Sequence, residues 1–354
     1  MNCNFWQGKR VFLTGHTGFK GGWLSLWLQD MGAEVYGYSL NPPTEHNFFI
    51  AAEVGKGMKN SIIADIRDAP TLIREMQAAQ PEIVFHLAAQ SLVRYSYAEP
   101  TETYAINVMG TVNLLEAVRM SPTVQVVVNI TTDKCYENRE WTRPYSEDNP
   151  MGGYDPYSSS KGCSELITSA YRRSFLKQRG VFVASARAGN VIGGGDWAPD
   201  RLIPDFLRAI DAEKPLIIRL PKATRPWQHV LEPLSGYLML AERLFVDGSS
   251  FAEAWNFGPS DEDAHTVEWI VEQLIASVPG ASWRLDTDAQ LHEAGYLKLD
   301  SSKAKMRLGW EARWKLQTAL EKTLEWHTGW RNKKNMNDIS IMQISAYQSV
   351  KEAT

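Results

Sequence analysis

The 354-residue chain reads as an α/β protein, a Rossmann-type doubly wound parallel sheet followed by a smaller C-terminal α+β substrate region. Three observations predict it. Short, nearly continuous apolar runs rich in β-branched residues alternate with helical stretches through the first half, the rhythm of βαβ units covered on both faces. A glycine-rich turn follows the first of those runs directly. After about residue 190 the alternation gives way to a stretch of glycines, prolines and polar residues, so a different organisation begins there.

Strands are expected over residues 10–13, 34–38, 61–64, 82–87, 124–130 and 181–186. Between them, helices are expected over 19–31, 69–79 and 100–120, with another starting at Pro156. Residues 1–190 are assigned to the dinucleotide-type domain and 191–354 mainly to a second domain, with later segments expected to return to the first. That second part carries helical patterns over 202–212, 233–245 and 266–277.

Composition bounds the function. Hydrophobic content of 44% and charged content of 22% suit an ordinary well-buried core. A net charge of -4 gives no reason to expect nucleic acid or an acidic membrane surface as partner. No apolar run approaches the roughly 18 residues of a membrane span, and the first seven residues lack the layout of a signal peptide. Cys3, Cys135 and Cys163 cannot all pair and match no zinc spacing, so no metal and a reduced, cytoplasmic setting are expected. The thirteen tryptophans read mainly as packing. Trp197 and Trp227 lie in polar loops and are candidates for stacking on a sugar.

Gly15, Gly18 and Gly21 form G-x-x-G-x-x-G between a strand and a helix. Glycines there let the backbone approach a pyrophosphate, while the helix starting near Phe19 offers unpaired N–H groups and a positive dipole end. Thr17 and Phe19 fall inside the same turn. At the end of the second strand, where Asp or Glu normally holds the adenosine ribose, this chain has Ser39. The missing carboxylate leaves NAD and NADP both open. Asp65, with Ile66 after it, is either the partner of an adenine amino group or a surface turn carboxylate.

Asp155-Pro156 writes a helix start, Asp155 as cap and Pro156 at the first helical position. Tyr157 and Lys161 then share one face, a turn apart. A phenol is a poor base at neutral pH, and a nearby ammonium favours its phenolate. The preceding strand runs into Thr131-Thr132-Asp133-Lys134, and ligands of open α/β sheets bind beyond the carboxyl ends of strands. Asp133 and Lys134 taken locally could equally be a solvated ion pair. Strand alternation would put Thr132 and Lys134 on one face and Asp133 on the other, so convergence requires the backbone to leave strand geometry.

Together Gly15-x-x-Gly18-x-x-Gly21, His86-Leu87-Ala88-Ala89-Gln90, Thr132 and Tyr157-x-x-x-Lys161 resemble the extended short-chain dehydrogenase/reductase superfamily. Within it the chain is similar, over roughly residues 8–330, to the nucleotide-sugar 4,6-dehydratases. The runs 187–197 and 225–230, with Thr132-Asp133-Lys134 in place of the usual Thr-Asp-Glu, point to the CDP-glucose-using branch. The resemblance implies NAD as a cofactor regenerated in each turnover. It also implies CDP-glucose as substrate and a homodimer, or a tetramer, built on the helices near 100–120 and 156–177.

By resemblance Tyr157 removes the C4 hydroxyl proton, Thr132 hydrogen-bonds the C4 oxygen, and Lys161 supports Tyr157 and the cofactor ribose. Asp133 is the expected acid at C6 and Lys134 the expected base at C5. Leu87, Ala88 and Ala89 are expected against the cofactor. Gln90, Asn190, Arg201 and Arg225 are the expected substrate-binding residues, with Arg225 typed to fork onto phosphate. Two rivals remain: a UDP-sugar 4-epimerase or related reductase, which needs no acid/base pair at 133 and 134, and a cofactor-binding protein without turnover.

Overall fold

The computed structural model describes residues 2–287 and 296–350. Six strands of the first half are β1 (Arg10–Thr14), β2 (Glu34–Ser39), β3 (Asn60–Ile63), β4 (Ile83–His86), β5 (Val126–Ile130) and β6 (Phe182–Ala188). A later strand, Ala254–Phe257, joins them in a seven-stranded parallel sheet, ordered Ala254–Phe257, β6, β5, β4, β1, β2, β3. The doubly wound parallel sheet is therefore the observed fold. Strand order reverses at β1, which pairs with both β2 and β4. The crevice beyond the carboxyl ends of β1 and β4 is the place for a ligand in such sheets.

Burial explains why these runs are strands. Every residue of β4 and β5 is buried, and the two faces are covered by separate apolar clusters. One carries Val11, Leu13, Val128 and Leu234, the other Phe12, Val84, Val127 and Leu115. The helix Leu231–Asp247 packs under β5 and β6, and Met336–Ser349 lies against Phe19–Asp30, with Trp27 edge-on to Tyr347. Between these returning segments sit short strand pairs and the helices Leu202–Asp211, Val267–Ser277 and Leu316–Arg331. They share a third core that includes Ile203, Phe206, Ile270, Leu274 and Leu320.

The stretch expected as one helix over 100–120 is interrupted. A π-turn, Ala105–Met109, separates Pro100–Tyr104 from Gly110–Arg119. The wide turn aims Asn107 inward, where it accepts from the Gln90 N–H at 2.9 Å and donates to the Gln90 carbonyl at 2.9 Å. Such turns concentrate at functional sites. Among the described residues no helix is long and apolar enough to cross a membrane.

Candidate active site

The glycine turn is built by exclusion. Gly15 holds φ +78°, and a Cβ there would lie 2.7 Å from the Ala88 nitrogen and 2.8 Å from the Leu87 carbonyl carbon. A Cβ on Gly21 would lie 2.0 Å from the Gly15 oxygen. Gly18 caps the helix Phe19–Asp30 without a side chain, so the N–H groups of the first turn stay available to an anion. This cradle fits a dinucleotide pyrophosphate.

The floor of the turn is tied to β4. Thr14 Oγ1 accepts from the Leu87 and Ala88 N–H groups, both at 3.1 Å, so its own proton goes to His86 Nδ1 at 2.7 Å. Burial pushes His86 down to about 3, and the ring is neutral. At the tip of β2, Thr17 donates to the Leu40 carbonyl at 2.8 Å, and the Ser39 hydroxyl lies 2.8 Å from the Thr17 hydroxyl. A hydroxyl pair stands where a carboxylate would hold the ribose. Asp65 is gripped by Arg67, which contacts Oδ2 at 2.6 Å through Nη2 and Oδ1 at 2.8 Å through its backbone N–H. Ile66 beside it is buried against Gly110.

Beyond Ile130 the backbone does leave strand geometry. Thr132 opens a 3₁₀ turn, Asp133–Cys135, which swings Asp133 into the interior. Asp133 is 1% exposed. The Thr132 hydroxyl donates to Asp133 Oδ1 at 2.9 Å, and turned toward the Tyr157 phenol it favours the ionised form of that phenol. With one proton, that hydroxyl donates to only one of them at a time. Asp133 Oδ2 is buried with no hydrogen-bond partner among the described residues. Lys134 is half-buried, and no ion pair joins it to Asp133 among the described residues. The local reading of a solvated ion pair is therefore corrected: Asp133 is buried and is not paired with Lys134 among the described residues.

Pro156–Tyr171 begins as expected, with Asp155 accepting from the Ser158 N–H at 2.9 Å. It delivers Tyr157 and Lys161 to the end of β5, where Lys161 Nζ donates to the Ile130 carbonyl at 3.2 Å. Burial pushes the Tyr157 phenol up to about 12; the Thr132 hydroxyl and the Arg201 guanidinium pull it down, while Asp133 and Asp155 push it up. The Arg201 guanidinium is thus a cation acting on the phenol to which the sequence did not point. Lys161 is itself brought down to about 8 by burial, with the Glu165 carboxylate opposing.

The model of the GDP-mannose 4,6-dehydratase family matches residues 12–323. The chain belongs to the GDP-mannose 4,6-dehydratase family. Within reach of that family, it is 56% identical over 352 residues to a CDP-glucose 4,6-dehydratase of Salmonella typhimurium, covering 98% of both chains. It is 28% identical over 341 residues to a probable dTDP-glucose 4,6-dehydratase of Sinorhizobium fredii, covering 91% of this chain and 94% of that one. Among solved structures, a dTDP-glucose 4,6-dehydratase of Streptomyces venezuelae with bound NAD superposes with a TM-score of 0.78 at 26% identity, covering 93% and 99%. A UDP-glucose 4-epimerase of Stenotrophomonas maltophila reaches 0.79 at 20% identity, covering 92% and 99%, and shows the shared fold alone.

Not every residue expected at the site of this GDP-mannose 4,6-dehydratase family member turns toward it. The Gln90 amide donates to the Leu92 carbonyl and to Thr103, and its oxygen accepts from the Leu92 N–H, so the side chain braces its own loop. Asn190 lies between β6 and the short strand Val191–Ile192, where its carbonyl accepts from Gln228. Arg225 is 6% exposed on the strand Thr224–Pro226. Trp197 packs against His46, Trp326 and Trp330, and Trp227 is buried in the third core, so both serve packing.

Other groups were not singled out by sequence reasoning. Lys20, a variable position of the glycine motif, faces Arg201, Asp133, Lys161 and Asp196, and burial brings its ammonium down to about 8. Asp196 grips Arg201 at 2.9 Å, and Arg201 also reaches Ser91 at 3.0 Å. Lys20 sits beside the glycines and was legible as a charge in a phosphate-binding turn. The Asp196–Arg201 pair had no local signal.

Proposed function

We propose that this chain is an NAD-dependent CDP-glucose 4,6-dehydratase, a hydro-lyase that yields CDP-4-keto-6-deoxyglucose. The observation that carries the reading is the buried Thr132–Asp133–Tyr157 cluster, in a chain 56% identical across its length to the Salmonella enzyme of that name. NAD, held by the glycine turn, would supply the acceptor for the C4 hydride and the donor for its return at C6. The chain's own groups do the proton work. Tyr157, once ionised, removes the C4 hydroxyl proton; burial holds the phenol up at about 12, and Arg201 and the Thr132 hydroxyl pull against that. Thr132 hydrogen-bonds the C4 oxygen, a task open to it once its proton leaves Asp133 Oδ1.

Asp133, whose Oδ2 is buried without a hydrogen-bond partner among the described residues, supplies the proton to the departing C6 hydroxyl. Lys134, half-buried and apart from Asp133, is the base at C5. Gly15, Thr17, Gly18, Phe19 and Gly21 would hold the pyrophosphate. Asp65, Ile66 and the run 87–89 would line the adenine and nicotinamide ends, and Lys161 the ribose. Asn190, Arg201 and Arg225 would receive the nucleotide diphosphate. Residues 191–287 and 296–350 contribute most of the substrate-binding walls, in a cytoplasmic enzyme. A homodimer would cover the exposed Met109, Met120, Leu166 and Phe175 on the helices that flank β4 and β5.

Incubation with NAD and CDP-, dTDP-, UDP- and GDP-sugars in parallel tests the reading through the absorbance of the 4-keto product in alkali. CDP-glucose is expected to be turned over far faster than the rest. Preference for another base would overturn the substrate, and conversion to a 4-epimer without loss of water would overturn the reaction.

A further inference from the structure

Behind the reacting groups lies a carboxylate that the proposed chemistry does not use. Glu165 sits one turn beyond Lys161 on Pro156–Tyr171 and is 5% exposed. Its Oε1 accepts from Thr131 Oγ1 at 2.5 Å and Arg187 Nε at 2.9 Å. Its Oε2 accepts from Ser185 Oγ at 2.6 Å and Arg187 Nη2 at 2.9 Å. Four donors fill the four lone-pair sites of a carboxylate. Arg187, 4% exposed, completes its own set with the Tyr136 hydroxyl at 2.7 Å and the Glu147 carbonyl at 3.2 Å. Burial pushes Glu165 up, but Arg187 and the Ser185 and Thr131 hydroxyls outweigh it and hold the carboxyl below its usual range.

This arrangement ties three elements into one frame. The helix contributes Glu165, β6 contributes Ser185 and Arg187, and the end of β5 contributes Thr131, the residue immediately before Thr132. Any shift of the helix relative to β5 would move Tyr157 and Thr132 apart, and the fork of Arg187 onto Glu165 resists that shift. The same carboxylate carries the negative charge that counters the burial of the Lys161 ammonium. The charged and titratable groups around the two are Lys20, His86, Cys135, Arg172 and Arg187. Of these, the carboxylate supports the ammonium, the Cys135 thiol stays protonated because burial pushes it well up, and His86 is neutral.

We propose that Glu165 is a positioning residue for the dehydratase reaction, fixing Thr132 against Tyr157 through Thr131 and keeping Lys161 charged, with Arg187 as its clamp. The proposal rests on reading Tyr157 and Lys161 as the groups beside substrate and cofactor.

The test is Glu165→Gln, followed through the pH profile of kcat with CDP-glucose and through the pH dependence of NAD affinity by tryptophan fluorescence. Removing the charge lets burial take the Lys161 proton at lower pH. The alkaline limb of both profiles is expected to move acidward by roughly one unit, and Glu165→Asp is expected to restore most of it. A loss of packing alone would lower kcat equally at every pH. Should Glu165→Gln not fold, the double variant Glu165→Gln/Arg187→Met removes both buried charges together, a change that packing tolerates far better than an orphaned ion. It is expected to show the same acidward limb, because Glu165 and not Arg187 acts on Lys161. Turnover with both limbs unmoved in whichever variant folds overturns the proposal. A shifted NAD profile without any CDP-glucose turnover would uphold it and overturn the function reading instead.

Discussion

Glu165 and Asp133, two of the buried carboxylates near the Tyr157/Lys161 pair, are kept in opposite ways. Glu165, at the rear, accepts four hydrogen bonds and faces a forked guanidinium. Asp133, at the front, accepts one from Thr132 and leaves its other oxygen without a partner among the described residues. Native interiors rarely tolerate an orphaned polar atom, and the exceptions mark sites of chemistry or an absent ligand. The contrast separates a saturated group, which can hold geometry but has no lone pair left for a proton, from an unsaturated one that can trade protons with a substrate.

The largest effect should come from the phenol of the Tyr157/Lys161 pair. Tyr157→Phe removes the acceptor of the C4 proton and keeps the ring, so kcat is expected to fall by roughly 10⁴-fold with CDP-glucose affinity little changed by calorimetry. A loss of less than about tenfold would mean that another group takes that proton. Asp133→Asn keeps the shape and the Thr132 contact while removing the proton donor. Turnover should fall by about 10²–10³-fold, with C4 oxidation persisting, so NADH absorbance builds up. If oxidation and elimination fall together, Asp133 is serving the framework as Glu165 does, and the contrast fails.

Thr132→Val tests the hydroxyl shared between the two sides. The expected loss in kcat is about 10–100-fold, the value of one hydrogen bond to a charged group. An unchanged KM would place the loss at the reacting oxygen and not in binding.

How far the sequence reached follows the same division. β4 and β5 were legible because fully buried parallel strands read as unbroken apolar runs. The Tyr157/Lys161 pairing was legible because helix periodicity and the Asp155-Pro156 start set it locally. The glycine turn was legible because backbone contact at Gly15 and Gly21 admits no side chain. Convergence of Asp133 depended on a three-residue 3₁₀ turn without a composition signal, and strand alternation argued against it. Glu165 and Arg187 are 22 residues apart on different elements, so their clamp is a tertiary fact. The same holds for Arg201 as a cation acting on the phenol, and for Gln90, whose amide turned to its own loop.

A third buried carboxylate sharpens the comparison away from the site. Glu232, fully buried, accepts from the Trp314 N–H at 2.7 Å, the Arg313 N–H at 2.9 Å and the Tyr347 hydroxyl at 2.7 Å. It thereby pins the C-terminal helix Met336–Ser349 beneath the sheet. It has donors, as Glu165 does, but no forked cation. Burial therefore wins and pushes it up to about 7 from an ordinary 4.5. Because the folded state binds this proton more tightly than the unfolded chain, stability is undiminished below about pH 4.5. It declines as pH rises toward 7 and stays level above. The full decline is at most about 3–4 kcal/mol, from a shift of about two and a half units at ~1.4 kcal/mol each. Glu232→Gln cannot ionise. Its thermal midpoint should sit lower overall through the lost acceptor, yet fall by a few degrees less than the parent's between about pH 5 and pH 8. Parallel pH slopes for the two proteins would mean that three neutral donors hold a buried carboxylate charged as firmly as an arginine fork does, and the distinction drawn between Glu165 and its neighbours would lose its physical basis.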